Sequence, residues 1–198
     1  MGEIVFTPVP TPHSVYLLEK GLVRIYRLSE SGLETTLGYV LPGEVFGELA
    51  IFGDYPRESF AQAVEPSTVW KLPRQRFQQL VAARPGVTFE ITKQIGERLK
   101  RIENRVEHLV FRDVPTRLML ILLELADHFG VGHEDGSIEI DIDLTQAEIA
   151  NLIGSSRQSV SGHLKALEER GLVGHRNRHL LVPKPDDLRR AALPQEPG

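Results

Sequence analysis

The 198-residue chain contains no cysteine. Disulfides, cysteine-ligated zinc and cysteine-ligated iron–sulfur clusters are therefore excluded, and the composition fits a reducing cytoplasm. Long apolar runs are also missing. The longest, Leu118–Leu123 (LMLILL), stops at Glu124, far short of the ~20 residues that a membrane-spanning helix needs. The opening segment MGEIVFTPVPTPHSVY has neither a basic stretch nor an apolar run of signal-peptide length, so a cytoplasmic protein with no membrane partner is expected. No G-x-S-x-G, P-loop or dinucleotide fingerprint occurs, which leaves an enzyme without a catalytic residue to name. The histidines (His13, His108, His128, His133, His163, His175 and His179) are scattered, with no ligand pair spaced as in H-E-x-x-H, so no metal site is expected. His133-Glu134-Asp135 reads as a solvated turn, and Asp141 with Asp143 as the exposed face of a strand.

What is present is an ordinary globular composition, 41% hydrophobic and 25% charged, on a chain long enough for one large domain or two small ones. The net charge of −4 argues against a nucleic-acid partner, but it is unevenly spread. Arg157 to Arg190 holds eight Lys/Arg against four Asp/Glu, and the acidic excess lies upstream between Glu134 and Glu148. A local basic surface is what counterion release requires, because charges beyond about 10 Å are screened at physiological salt.

Along the chain, residues 14–72 read as short strands: VYLLEKGLVRIYRL, ETTLGYVL and TVWKLP alternate or run apolar between Gly21, Ser31-Gly32, Pro42-Gly43 and Gly53. That spacing predicts an antiparallel barrel or sandwich. RQRFQQLVAARP predicts a short helix stopped by Pro85, and a longer helix starts near Thr88. In the long helix Ile95, Leu99, Ile102, Val106 and Leu109 recur at spacings of 4, 3, 4 and 3 among polar neighbours. This is a heptad seam, either a dimer contact or a face packed on the chain's own core; its narrowness favours the dimer. Beyond the break FRDVP, a helix is expected over 116–128, then a loop (GVGHEDGS), a strand (IEIDIDL), two helices, and a hairpin, RGLVGHRNRHLLV, with Arg176-Asn177-Arg178 at its tip. The tail LPQEPG is expected to be disordered.

The two helices lie in LTQAEIANLIGSSRQSVSGHLKALEERGLV, residues 144–173. Thr145 and Glu148 have capping-box spacing, Gly154 permits a tight turn, and Ser155 or Ser156 caps the second helix. Val160, Leu164 and Leu167 form that helix's buried face, leaving Arg157, Gln158, Ser161 and Lys165 outward. Arginine suits the guanine edge and glutamine the adenine edge, while hydroxyls and lysine serve phosphates. A basic hairpin directly afterwards suits a wing on the DNA backbone.

These residues carry a family resemblance. Residues 144–173 resemble the winged helix–turn–helix of the cyclic-AMP receptor protein/FNR (CRP/FNR) family of bacterial regulators. GEVFGELAIFGDYPRESFAQAV, residues 43–64, is similar to that family's β-roll cassette, and FRDVPTRLMLILLELA to its hinge and first C-terminal helix. The resemblance implies an α+β fold with three parts: a jelly-roll-like antiparallel β-roll sensor over 1–87, a dimerisation helix over 88–112 and a winged helix–turn–helix over 113–198. It implies a homodimer on a palindromic site in double-stranded DNA, with half-sites about one helical turn apart, and RNA polymerase as the partner of an activator. Arg157, Gln158 and Ser161 fall at the base-reading positions, with Gln158 where Glu is frequent and Gly162 where a second Arg is frequent. Thr145, Ser156 and Lys165 are phosphate contacts by the same resemblance, and Arg176 and Arg178 stand on the wing. The family's usual extension before the roll is not present ahead of Val15.

The cassette's implied effector pocket, active or vestigial, comprises Gly47, Glu48, Leu49, Ala50, Arg57 and Ser59, with Glu48 for a ribose hydroxyl. A cyclic phosphate calls for Arg-Ser, whereas here the chain reads Pro56-Arg57-Glu58-Ser59. Kept in register with Ser59, Glu58 faces the phosphate, a repulsion of about 1–4 kcal/mol; a one-residue slip would return Arg57 to that position. Ile102-Glu103 stand where cAMP-responsive members carry Thr-Ser, and Ile102 cannot hydrogen-bond adenine. Both departures point to a regulator that needs no cofactor, cAMP included. The alternative is a member gated by cAMP or another small ligand, and the rival from another class is a cupin-like enzyme or binding protein.

Overall fold

The computed structural model describes residues 2–10, 13–30, 32, 34–53 and 55–193, with Ala50 described by its backbone alone. Most of the expected disordered tail, from 194 on, lies outside the described residues. The chain divides into two compact units, Met1–Glu103 and Asn104–Gly198.

The first unit is a roll of two antiparallel sheets. One has the order β1 (Ile4–Phe6), β6 (Phe60–Ala63), β3 (Val23–Leu28), β4 (Glu34–Val40); the other runs β5 (Val45–Phe46), β2 (Ser14–Lys20), β7 (Thr68–Pro73). Phe6, Val23, Val40 and Ala61 of the first sheet close on Tyr16, Leu18 and Phe46 of the second to form the core. Strand β2 is buried on both faces near its start. Its alternate residue Val15 joins Ile51 of α1 (Leu49–Phe52), Phe77 of α2 (Arg74–Ala83) and Ile91 of α3 (Pro85–Phe111) in a second cluster. That is why Val15 and Tyr16 are apolar in succession, although Leu17 beyond them is exposed. Helix α3 begins at Pro85, three residues before the expected start near Thr88. Proline is favoured in the first helical turn, where its missing N–H has no partner to lose.

The second unit is built on α4 (Val114–Phe129), capped by the Asp113 side chain, which accepts from the Thr116 N–H at 3.0 Å. Leu118, Met119, Ile121, Leu122, Leu123, Leu125 and Ala126 are all buried, so the LMLILL run is a core helix. Among the described residues no helix is long and apolar enough to cross a membrane. Around α4 lie α5 (Gln146–Ile153), α6 (Arg157–Glu169), α7 (Pro185–Ala192) and a four-stranded antiparallel sheet. Its order is β10 (Gly174–Arg176), β11 (His179–Val182), β9 (Ile138–Ile140), β8 (Gly130–Gly132).

Three expectations are corrected here. GVGHEDGS is not all loop: Gly130–Gly132 pairs with Ile138–Ile140, through backbone groups that glycine supplies without any side-chain pattern. The strand expected over IEIDIDL stops at Ile140; the alternation continues because Ile142 is buried, yet its N–H turns back to the Ile140 carbonyl at 2.9 Å. Helix α7, absent from the sequence reading, buries Leu188 and Ala192. Its signals were Pro185 in the first turn, Asp186-Asp187 at the start and Arg189-Arg190 at the end, matching the helix dipole.

Candidate DNA interface and effector cassette

Helix α5 opens on the expected capping box. The Glu148 N–H donates to Thr145 Oγ1 at 3.2 Å and the Thr145 N–H to Glu148 Oε2 at 2.7 Å. The Thr145 hydroxyl also donates to that carboxylate at 2.8 Å, so it is committed to the cap before any phosphate arrives. Thr145→Ala is expected to lower stability by about 0.5–2 kcal/mol, read as a fall in melting temperature. Gly154 closes α5 in the left-handed region, φ +60°, where a side chain would be strained. Ser156, not Ser155, caps α6, its hydroxyl accepting from the Ser159 N–H at 3.1 Å.

From there the helical period decides which side chains face water. Val160, Leu164 and Leu167 are buried, while Arg157, Gln158, Ser161 and Lys165 are exposed on the opposite face. Gly162 shares the open side, and a Cβ built there meets nothing within 4 Å. All eight sequence-named candidates of this interface lie in the second unit. The wing arginines are less free than the sequence implies. A two-residue turn, Asn177-Arg178, joins β10 to β11, with Asn177 at φ +55°. Arg178 Nη2 lies 3.0 Å from Asp143 Oδ2, and Arg176 Nη2 lies 3.6 Å from Asp135 Oδ2. Asp143 and Asp135 are thus partners of the wing, not bystanders. His133, expected in a solvated turn, has its Nε2 3.1 Å from Glu139 Oε2. Hydrogen bonds from Ser137 hold the Asp135 carboxyl below the usual range.

In the roll, Gly47 stands at φ +76°, and a Cβ there would sit 2.8 Å from Arg57 Nη2; glycine is required by both conformation and space. Glu48 is 1% exposed. Its Oε1 lies 3.1 Å from Arg98 Nη1, and Arg98 Nη2 also donates to the Val45 carbonyl at 2.7 Å. Arg101 Nη2 meets Glu44 Oε1 at 2.7 Å. Arg98 and Arg101 were legible only as polar positions flanking the seam; their i, i+3 spacing aims both at this acidic pair. Burial pushes the Glu48 carboxyl above its ordinary range, against the lowering effect of Arg98.

The register of the Arg57 segment corrects the expectation for Glu58. Arg57 bridges Val9 with both backbone hydrogen bonds at 2.9 Å. In that extended stretch alternate side chains take opposite faces, so Arg57 turns inward beside Gly47 and Glu58 turns out to Arg27, 2.6 Å away. The Arg57 Nη2 donates to the carbonyls of Ser14 at 2.8 Å and Gly47 at 2.9 Å, and the guanidinium lies 4.1 Å from the centre of the Phe6 ring. No carboxylate of Glu58 faces the candidate phosphate position, and the repulsion argument falls away. Arg57 Nε and Glu48 Oε2 are buried without a hydrogen-bond partner among the described residues. Of the other cassette residues, Ser59 is half-buried and Leu49 is exposed.

The seam divides. Ile95 packs against the cluster of Val15, Ile51, Phe77 and Ile91 in its own roll. Leu99, Ile102, Val106 and Leu109 are 54%, 41%, 54% and 42% exposed among the described residues, an apolar face left half open.

A β-roll carrying such a cassette and a helix pair with a wing define a class of DNA-binding transcription regulators, and comparison with known proteins agrees. Residues 1–84 match the cyclic nucleotide-binding domain family, and residues 116–191 match the Crp-like helix-turn-helix domain. A CRP-like cAMP-activated global transcriptional regulator of Mycobacterium tuberculosis is 33% identical over 191 residues, 96% of this chain and 85% of that protein. A global nitrogen regulator of Synechococcus elongatus is 32% identical over 186 residues, covering 93% and 83%. The crystal structure of a CRP-family transcriptional regulator from Thermus thermophilus superposes with a TM-score of 0.80 at 28% identity, covering 96% of this chain and 93% of that one. The chain belongs to the CRP family of transcriptional regulators, with the α+β fold expected from its sequence.

Proposed function

We propose that the protein is a homodimeric activator that reads a two-fold promoter site in double-stranded DNA and meets RNA polymerase there, in a form competent without cAMP. The observation that carries this reading is the division of α6. Three apolar side chains pin it to the core, and Arg157, Gln158, Ser161 and Lys165 stand together on its open face. Arg157 and Gln158 contact base edges, Ser161 a base or sugar, and Ser156, Lys165, Arg176 and Arg178 the backbone. The uncovered apolar residues of α3 support pairing of two copies through that helix. Residues 1–87 then serve as sensor, 88–112 as dimerisation helix and 113–198 as DNA-binding part.

Competence without cAMP is supported by Ile102, which offers adenine no hydrogen bond, and by Phe6, which covers one face of the Arg57 guanidinium. A second reading, gating by a small ligand, is favoured by the two buried polar atoms left without partners, Glu48 Oε2 and Arg57 Nε. A hydroxyl donor for the first and an anion for the second would satisfy both. Selection of the purified protein on random duplexes, with and without cAMP at near-physiological salt, decides between them. One palindrome enriched equally in both arms is the expected result. Enrichment only with cAMP establishes gating, and no enrichment in either arm overturns the DNA-binding assignment of α6.

A further inference from the structure

The wing holds a group of ionisable side chains that base reading leaves unused. His179, the first residue of β11, has a side chain only 14% exposed. Its Nδ1 lies 2.9 Å from Glu139 Oε1 and 3.4 Å from Asp141 Oδ1, and its Nε2 lies 3.6 Å from Asp143 Oδ1. Glu139 spends its other oxygen on His133, and Asp143 holds Arg178 through its own second oxygen. Arg176 with Asp135 at 3.6 Å, and His175 with Glu168 at 3.0 Å, are further charged and titratable groups beside the hairpin among the described residues.

A neutral imidazole has one N–H. The 2.9 Å contact with Glu139 assigns it to Nδ1, so Nε2 presents a lone pair to the Asp143 carboxylate, which is repulsive. Asp143 is then balanced by Arg178 alone, and Arg178 is held against it. A second proton on His179 turns the Nε2 contact into an attraction and gives three carboxylates a partly buried cation. Asp143 no longer depends on Arg178, whose guanidinium is free for a phosphate, and the wing gains one positive charge.

We propose that His179 is a protonation switch in the wing: taking up a proton there releases Arg178 from Asp143 for the DNA backbone, so DNA binding is coupled to proton uptake. The inference rests on the DNA-binding reading above. The two histidine bonds hold Glu139 below the usual carboxylate range, so it stays an anion over the pH range in which histidine ordinarily titrates. The sign follows: the complex binds more protons than the free protein, and affinity rises as pH falls through that range.

The test is the dissociation constant of the full chain for a labelled duplex carrying the selected palindrome, by fluorescence anisotropy at fixed salt, from pH 8.5 to pH 6. Wild type is expected to tighten on acidification with a slope approaching tenfold per pH unit for each proton taken up. His179→Gln loses that slope. His133→Gln, which touches Glu139 but not Asp143, keeps most of it. Asp143→Asn binds more tightly than wild type at pH 8 with a reduced slope, because Arg178 is already released. A wild-type affinity independent of pH, an undiminished slope in His179→Gln, or no gain in Asp143→Asn overturns the wing switch alone. A chain that binds no duplex at any pH overturns the DNA-binding reading and the switch with it.

Discussion

Arg157→Ala is expected to weaken specific DNA binding by about 1–3 kcal/mol, roughly fivefold to 150-fold, and to flatten preference at one base pair of each half-site. The reason is geometric. Arg157 is the first residue of α6, its side chain is exposed, and the helix beneath is fixed by Ser156 at its cap and Val160, Leu164 and Leu167 below. A guanidinium held there presents two parallel donors to a guanine edge, and alanine leaves those acceptors unmatched. Stability should not change, because Arg157 is exposed. The checks are a binding isotherm on the selected palindrome, the same on single-base variants, and a melting curve. If affinity for all sequences falls equally, Arg157 contacts only phosphate; if nothing falls, α6 does not read DNA.

Ile102→Glu is expected to convert the proposed dimer to monomers and to reduce binding to the proposed two-fold site by roughly 10²–10⁴, the avidity lost when two half-sites are no longer read by a linked pair. Leu99, Ile102, Val106 and Leu109 recur at heptad spacing and are half exposed in the single chain. In the proposed dimer two copies crossing along that face would bury all four, whereas a carboxylate at 102 would meet its own symmetry mate or stay buried without a partner. The fold of each chain should survive, since the roll packs against Ile91 and Ile95, earlier on the helix. Sedimentation at micromolar concentration reads the assembly, and the selected palindrome reads the function. A variant that remains dimeric removes this face from the assembly.

These two predictions draw on parts of the molecule that were legible without coordinates. The capping box of Thr145 and Glu148, the turn at Gly154 and the cap at Ser156 all join residues three or four apart. The apolar stripe of α6 and the seam of α3 are periodic, and a helix converts period directly into a face. Composition excluded cysteine chemistry for the same elementary reason: the atoms are not there.

What remained hidden lies in contacts that no local rule connects. Glu58 seemed to face the phosphate position because register was counted from Ser59; the isolated backbone bridge of Arg57 with Val9, 48 positions earlier, turns Arg57 in and Glu58 out. Gly130–Gly132 pairs through backbone alone and leaves no side-chain signature. His179 and Glu139 meet across 40 residues, and Glu48 meets Arg98 across 50. Sequence named Glu48 only for a ribose hydroxyl and His179 only as one of the scattered histidines; the fold is what gives each its charged partner. Sequence by itself therefore determined helices α2 to α6, the caps and apolar face of the helix pair and the class of protein, because those depend on periods and neighbours, but it passed over α7. Tertiary structure alone decided which charged groups lie together, because strand register and chain crossings set those distances, and with them the side-chain contacts of the cassette and of the wing.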